Sequence, residues 1–283
     1  MKKQNLKDTL FTSACGAWIG GTMTVPGVSG GSMAMILGIY DRLIASVNGV
    51  LQKGKRKESL IFLAKFLVGA ALGLFLFAKL ITLALTHFAV PTRYFFLGAV
   101  AGGAPMIFRA AKIKKVGASV FLYPILGIVC ALLIGLIPEG IFEISGTGAL
   151  AVIGGILIQL LGGIVIAVAL VLPGISVSQM LLVLGVYEKL TAAVDALDIM
   201  ALLSFAPLVI GTVGGILLTT GLIERAMQKK PTATYLIVFG FILGSLPELF
   251  PAQMPAAWEW LFAPLLALLG FFAVLAISKR EAV

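Results

Sequence analysis

Val25 to Val47 reads V-P-G-V-S-G-G-S-M-A-M-I-L-G-I-Y-D-R-L-I-A-S-V, and Leu172 to Val194 nearly repeats it as L-P-G-I-S-V-S-Q-M-L-L-V-L-G-V-Y-E-K-L-T-A-A-V. At a shift of 147, Pro26, Gly27, Ser29, Met33, Leu37, Gly38, Tyr40 and Leu43 meet identical residues. Asp41-Arg42 meets Glu188-Lys189, so the order of charge is kept as well. Pairing this close within one chain points to an internal duplication, with one copy of a binding element in each half.

The 283 residues around these copies are 60% hydrophobic and only 12% charged, with 33 glycines, and the mean hydropathy is +1.11. A soluble chain of this length needs far more polar surface, so the composition is that of an integral membrane protein. Long apolar runs punctuated by Gly and Pro indicate helices rather than a barrel, whose strands would alternate. The net charge of +9 does not indicate nucleic acid. Its lysines and arginines sit in short loops between apolar runs, as the positive-inside rule requires. Cys15 and Cys130 lie in apolar sequence and His87 is the only histidine, so neither a thiolate nor a histidine metal site is expected, and no cofactor. The start, Met1-Lys2-Lys3, lacks the long apolar segment of a signal peptide and is read as retained.

Lys2, Lys3 and Lys7 hold the N-terminus in the cytoplasm. The apolar run from Thr9 to Val25 is about 24 Å long at ~1.5 Å per residue, too short for a ~30 Å core. Pro26-Gly27 breaks it, and the following run from Ser29 to Val47 returns to the basic loop Lys53, Lys55, Arg56 and Lys57. Basic flanks on both sides make residues 9–47 a re-entrant hairpin; a single kinked span would put one basic cluster outside. Spans follow at Leu60–Phe88, Tyr94–Phe108 and Val116–Ile137. The second half repeats the plan, with a hairpin over 149–194 and spans at Ile199–Ile223, Tyr235–Leu246 and Leu261–Ile277. At a shift of 142, Gly69, Gly73, Gly98, Gly102 and Pro105 meet Gly211, Gly215, Gly240, Gly244 and Pro247. Three spans is an odd number, so the second copy enters the membrane upside down. The expected fold is therefore an all-α polytopic membrane protein of two inverted-topology repeats, 1–141 and 142–283. Each repeat is a re-entrant hairpin plus three transmembrane helices, and both termini are cytoplasmic. Interrupted helices at matching places in inverted repeats mark a transporter's binding site.

At each Pro-Gly the chain must turn, because Pro lacks an N–H and Gly tolerates conformations that other residues resist. Ser29 and Ser176 then fall at the N-cap of an outgoing helix. Gly30, Gly31 and Ser32 in one copy, and Ser178 and Gln179 in the other, leave first-turn N–H groups and hydroxyls within reach of an anion. The candidate substrate-binding residues are thus Pro26, Gly27, Ser29, Gly30, Gly31 and Ser32, their counterparts Pro173, Gly174, Ser176, Ser178 and Gln179, and Arg109 as a headgroup contact. Each has a plainer reading: the serines cap their own helices, and Arg109 obeys positive-inside topology. Tyr40 and Tyr187 read as interfacial anchors, and Asp41-Arg42 and Glu188-Lys189 as solvated helix-end pairs. Lys65 and Lys79 snorkel from a span. Gln159 suits a hydrogen bond within the hairpin.

The doubled motif P-G-[VI]-S, followed by L-G-[IV]-Y-[DE]-[RK], resembles the PopT family of polyprenyl-phosphate transporters, most specifically at W-I-G-G-T-M-T-V-P-G-V-S-G-G-S. The resemblance covers nearly the whole chain. It implies a flippase that moves undecaprenyl phosphate across the bacterial cytoplasmic membrane, recycling the lipid carrier of cell-wall (peptidoglycan) synthesis. The partners implied are that lipid phosphate and the surrounding membrane lipids, and a homo-oligomer is left open. The competing enzyme reading is a polyprenyl-diphosphate phosphatase, whose motif runs P-G-x-S-R-S. Here Gly30 and Val177 follow the serines, so the phosphate-clamping Arg is missing. Glu139, Glu143, Glu224 and Glu248 fall near expected loops, leaving no embedded acid–base pair. A channel or carrier for a small anion would use the same helix-start chemistry.

Overall fold

A computed structural model describes residues 2–23, 25, 28–113, 116–140, 149–196, 198–250 and 258–280. These residues are all-helical. Three helices build the first hairpin, α1 (Lys2–Thr22), α2 (Gly30–Ile36) and α3 (Tyr40–Gly49). Longer helices follow: α4 (Arg56–His87), α5 (Ala89–Ala110) and α6 (Ala118–Gly135). The same order returns as α7 (Ala149–Val171), α8 (Val177–Val183) and α9 (Tyr187–Asp195). After a short α10 (Ile199–Leu203) come α11 (Ala206–Lys229), α12 (Pro231–Ser245) with a 3-10 turn at Leu246–Leu249, and α13 (Glu259–Arg280).

Six of these helices are long and apolar enough to cross a membrane: α4, α6, α7 from Ile153, α11, α12 with its 3-10 extension, and α13. The chain is a multi-pass membrane protein. The set differs from the expected one in two places. α5, expected to span as Tyr94–Phe108, is absent from it, and Pro91-Thr92-Arg93 lie inside the first turns of α5 rather than in a loop. Packed against α13, α2 and α12, α5 is sheltered by protein on several sides and can carry a polar, Gly-rich sequence. Conversely, α7, expected as a hairpin arm, has the length and composition of a span.

Packing explains the glycines repeated at a shift of 142. α1 crosses α4 where Gly69 and Gly73 face the backbone oxygens of Ser13 and Ala17, and α7 crosses α11 where Gly211 faces that of Leu160. Gly98 and Gly102 of α5 lie on the Ala267 and Phe271 oxygens of α13, while Gly240 of α12 lies on the Pro124 oxygen of α6. So α1 pairs with α4 as α7 pairs with α11, and α5 with α13 as α12 with α6. Between lipid-immersed helices there is no water to expel, so association depends on such close backbone approach. Replacing Gly69 by leucine should cost about 2–3 kcal/mol through forced separation of α1 and α4. That corresponds to a drop of roughly 5–10 °C in the thermal midpoint in detergent. Gly214→Leu, at a position with open space around it, should leave the midpoint unchanged; equal effects would contradict this account of the crossing.

The outgoing arms are not the single helices expected for Ser29–Val47 and Ser176–Val194. Each breaks after seven residues. Gly38 (φ 78°) and Gly185 (φ 68°) end α2 and α8 in the left-handed conformation. The Ile39 N–H donates to the Ala34 oxygen and Gly38 N–H to that of Met35, at 3.0 and 3.1 Å; Val186 and Gly185 repeat this on Leu181 and Leu182 at 3.1 and 2.9 Å. Both are Schellman caps. The repeated L-G-[IV]-Y is therefore a helix stop, and each tyrosine starts the next helix.

Candidate functional site: the two hairpin tips

Pro26 and Gly27 lie outside the described residues. The structure brings the rest of the first tip directly against the second. Ser29 is the N-cap of α2, with extended backbone (φ −91°, ψ 142°). Its Oγ accepts the Ser32 N–H at 3.1 Å and, from the other half of the chain, the Gly174 N–H at 2.9 Å. A hydroxyl has two acceptor lone pairs and one proton. With both lone pairs taken, Ser29 must be the donor in its 2.7 Å contact with Ser32 Oγ. Ser29 is buried and its hydrogen-bonding capacity is full.

Both sides of this contact leave little room for a side chain. A Cβ on Gly31 would stand 3.1 Å from Pro173 Cα, and one on Gly174 would run into the Phe241 carbonyl of α12. Gly174 also has φ +87°. Gly30 is half-buried and faces Met23 and Ile19. The second tip is more open. Ser176 caps α8 through the Gln179 N–H at 3.4 Å and meets Ser178 Oγ at 3.3 Å; Ser176 and Gln179 are half-buried and Ser178 is exposed. Both serines therefore cap, as the plainer reading expected. With α2 and α8 only seven residues long, a full helix macrodipole is not available. What the tips offer an anion is local: first-turn N–H groups and hydroxyls.

Arg109 is not part of this cluster. It lies exposed in the last turn of α5, and no hydrogen bond or ion pair among the described residues joins it to the tips.

Several side chains read as peripheral are instead structural links across the chain. Tyr40, expected at the interface, is buried and its hydroxyl donates to the Val171 oxygen at 2.7 Å, just before the second tip. Asp41, expected to be a solvated helix-end charge, accepts the Tyr235 hydroxyl of α12. Arg42 turns to Asp8 of α1 and stacks 4.4 Å from the centre of the Phe62 ring. That guanidinium holds the Asp8 carboxyl below the usual carboxylate range, and Lys65 adds to the pair at 3.7 Å. Lys79 is exposed on α4. Gln159 makes no hairpin bond: its Oε1 is buried without a hydrogen-bond partner among the described residues.

Glu224, expected near a loop, sits toward the end of α11. It accepts from Asn48 Nδ2 at 2.6 Å, while Thr220 donates to Asn48 Oδ1 at 2.8 Å. Asp41, Lys112, Glu224 and Tyr235 line a polar cavity of about 520 Å³ beside these links. Its partners lie 172 to 194 residues apart, so no local pattern announces it. The one available signal was Asn48 and Glu224 as isolated polar residues beside apolar runs.

Two curated relatives extend over most of the chain. The "Polyprenyl-phosphate transporter" of Vibrio cholerae serotype O1 is 29% identical over 262 residues, covering 88% of this chain and 80% of its own. The protein of the same name from Staphylococcus aureus is 29% identical over 265 residues, covering 91% and 92%. No solved structure matches the chain significantly. Residues 19–261, which include both tips, match one family throughout, and the chain belongs to it: the VCA0040-like family, described as undecaprenyl phosphate translocase-like.

Proposed function

We propose that the protein is a flippase for undecaprenyl phosphate in the bacterial cytoplasmic membrane, returning the cell-wall lipid carrier for reuse. The observation that carries this reading is the meeting of the two tips, with Ser29 Oγ accepting from Gly174 N–H. Two elements 147 residues apart in a repeat converge on one point, and that point is rich in hydroxyls and backbone N–H groups. Such donors suit a phosphate headgroup. The family description and the names of both relatives point to the same lipid class.

The matched helix pairs support a two-fold relation between residues 1–141 and 142–283, read as inverted across the membrane with both termini in the cytoplasm. In this mechanism the headgroup takes the place of the tip-to-tip hydrogen bond. One half then rocks against the other, and access alternates while the distal prenyl tail stays in lipid. Transport is favoured over hydrolysis because the tip residues are Ser, Gly and Gln, with no acid–base group among them. Glu224 is engaged by Asn48.

Purified protein in liposomes should accelerate transfer of labelled undecaprenyl phosphate between leaflets, with no inorganic phosphate released from undecaprenyl diphosphate. Phosphate release would overturn the transporter reading, and so would transfer no faster than in empty liposomes.

A further inference from the structure

An apolar cavity of about 360 Å³ lies beside the first tip, and Met23, Gly30, Gly31, Leu67, Val171 and Ile216 are among the residues around it. Its volume is that of a small-ligand pocket. Two polar side chains, Tyr40 and Thr220, also line it, yet both hydroxyls are spent elsewhere. Tyr40 donates to the Val171 oxygen, and Thr220 bonds Asn48 and the Ile216 oxygen. The wall is therefore chemically apolar despite their presence. On its outer side the cavity reaches the surface that faces lipid, where Leu67 is 62% exposed and Met23 43% exposed. On its inner side it ends on Gly30 and Gly31, the first turn of α2.

From this geometry we infer that the cavity is the lateral portal that holds the head-proximal isoprene units of the lipid phosphate. The inference rests on the proposed function and adds the tail's place to the headgroup's. Continuity decides the occupant. One apolar chain lying in the cavity has its polar end at Gly30-Gly31 and its remainder in the bilayer, past Leu67. The polar cavity at Asp41 and Glu224 cannot do this, because a hydrocarbon there would leave carboxylates unsolvated. A second apolar cavity, about 320 Å³ around Trp18, Phe77, Leu80 and Phe95, does not include α2 and serves as the control.

The test pairs Leu67→Trp with Leu80→Trp. Both leucines are on α4 and well exposed, at 62% and 59%, so the added ring should leave the fold intact, which the thermal midpoint in detergent checks. Transfer of undecaprenyl phosphate in liposomes should fall at least tenfold for Leu67→Trp and stay within twofold of the native rate for Leu80→Trp. In parallel, a polyprenyl phosphate carrying a photoreactive group on its first isoprene units is crosslinked to the native protein. Adducts are expected on Met23, Leu67 or Ile216, and excess straight-chain phospholipid should not displace them. Equal rates for the two variants, adducts elsewhere, or displacement by ordinary phospholipid (a general lipid crevice) would each overturn the portal. Failure of the native protein to move the lipid at all would instead overturn the proposed function.

Discussion

Alanine at position 174 should remove the folded protein from the membrane rather than merely slow it. Gly174 has φ +87°, a conformation that costs an L-residue with a side chain on the order of 1–3 kcal/mol. The added methyl would also meet the Phe241 carbonyl and stand 2.7 Å from the Ile242 nitrogen. These are backbone atoms of a packed helix and cannot swing aside, so overpacking adds about 1–3 kcal/mol. The sum is a large fraction of the ~5–15 kcal/mol that holds a typical domain folded. Gly140 separates the two effects. It also has positive φ (71°), but a methyl there would meet nothing within 4 Å. Gly140→Ala should therefore cost only the conformational part. Thermal midpoints of the two variants in detergent check this: Gly174→Ala should give little or no folded protein, and Gly140→Ala a modest shift. Similar midpoints would mean that α12 yields at Phe241 and that the second tip is not wedged against it.

The position of Gly174 was legible from the sequence and its neighbour was not. Pro-Gly at the same place in both copies announced a tip. That the tip rests on α12 is a contact between residues 67 apart, with no trace in local pattern. The same division runs through the molecule. Glycines matching at a shift of 142 reflect a physical rule, since helices in lipid associate where small residues let backbones approach. Such a rule leaves its mark at both crossings of a duplicated chain. The L-G-[IV]-Y repeat was equally visible but was read as part of a continuous helix, because a Schellman stop and a helical Gly differ in backbone conformation rather than in residue type. Tyr40 and Asp41 read as interfacial and solvated groups from hydropathy and position alone, and Asn48 carries no local signal of a role. Each finds its partner across the duplication, at Val171, Tyr235 and Glu224, and a one-dimensional reading cannot see that a polar residue has been met.

These cross-links gather on one hairpin. α2 and α3 supply Ser29, Tyr40, Asp41 and Asn48, and every partner named lies beyond residue 170. The Schellman stop at Gly38 separates the first of these bonds, at the tip, from the other three. The break in the middle of the arm thus divides the tip from α3, which is fastened to α11 through Asn48 and to α12 through Asp41.

Serine replacements at the two tips should consequently differ, although the residues match in the repeat. Ser29→Ala removes the α2 cap and leaves the Gly174 and Ser32 N–H groups without an acceptor in a buried place. An unsatisfied buried donor costs about 1–3 kcal/mol, and loss of an N-cap about 1 kcal/mol. Ser29→Ala should therefore lower the thermal midpoint by several degrees as well as reduce transport. Ser176 is half-buried and holds one N–H at 3.4 Å, so Ser176→Ala should cost under about 1 kcal/mol and leave the fold intact. That makes Ser176→Ala the cleaner probe of headgroup binding. If the second tip contributes its hydroxyl to the phosphate, loss of one hydrogen bond to a charged group, about 1.5–3 kcal/mol, should reduce undecaprenyl phosphate transfer roughly ten- to hundred-fold at an unchanged midpoint. Transfer at the native rate by Ser176→Ala would restrict Ser176 to capping. Native transfer by a well-folded Ser29→Ala/Ser176→Ala double variant would remove both hydroxyls from the site and leave only backbone donors to hold the phosphate.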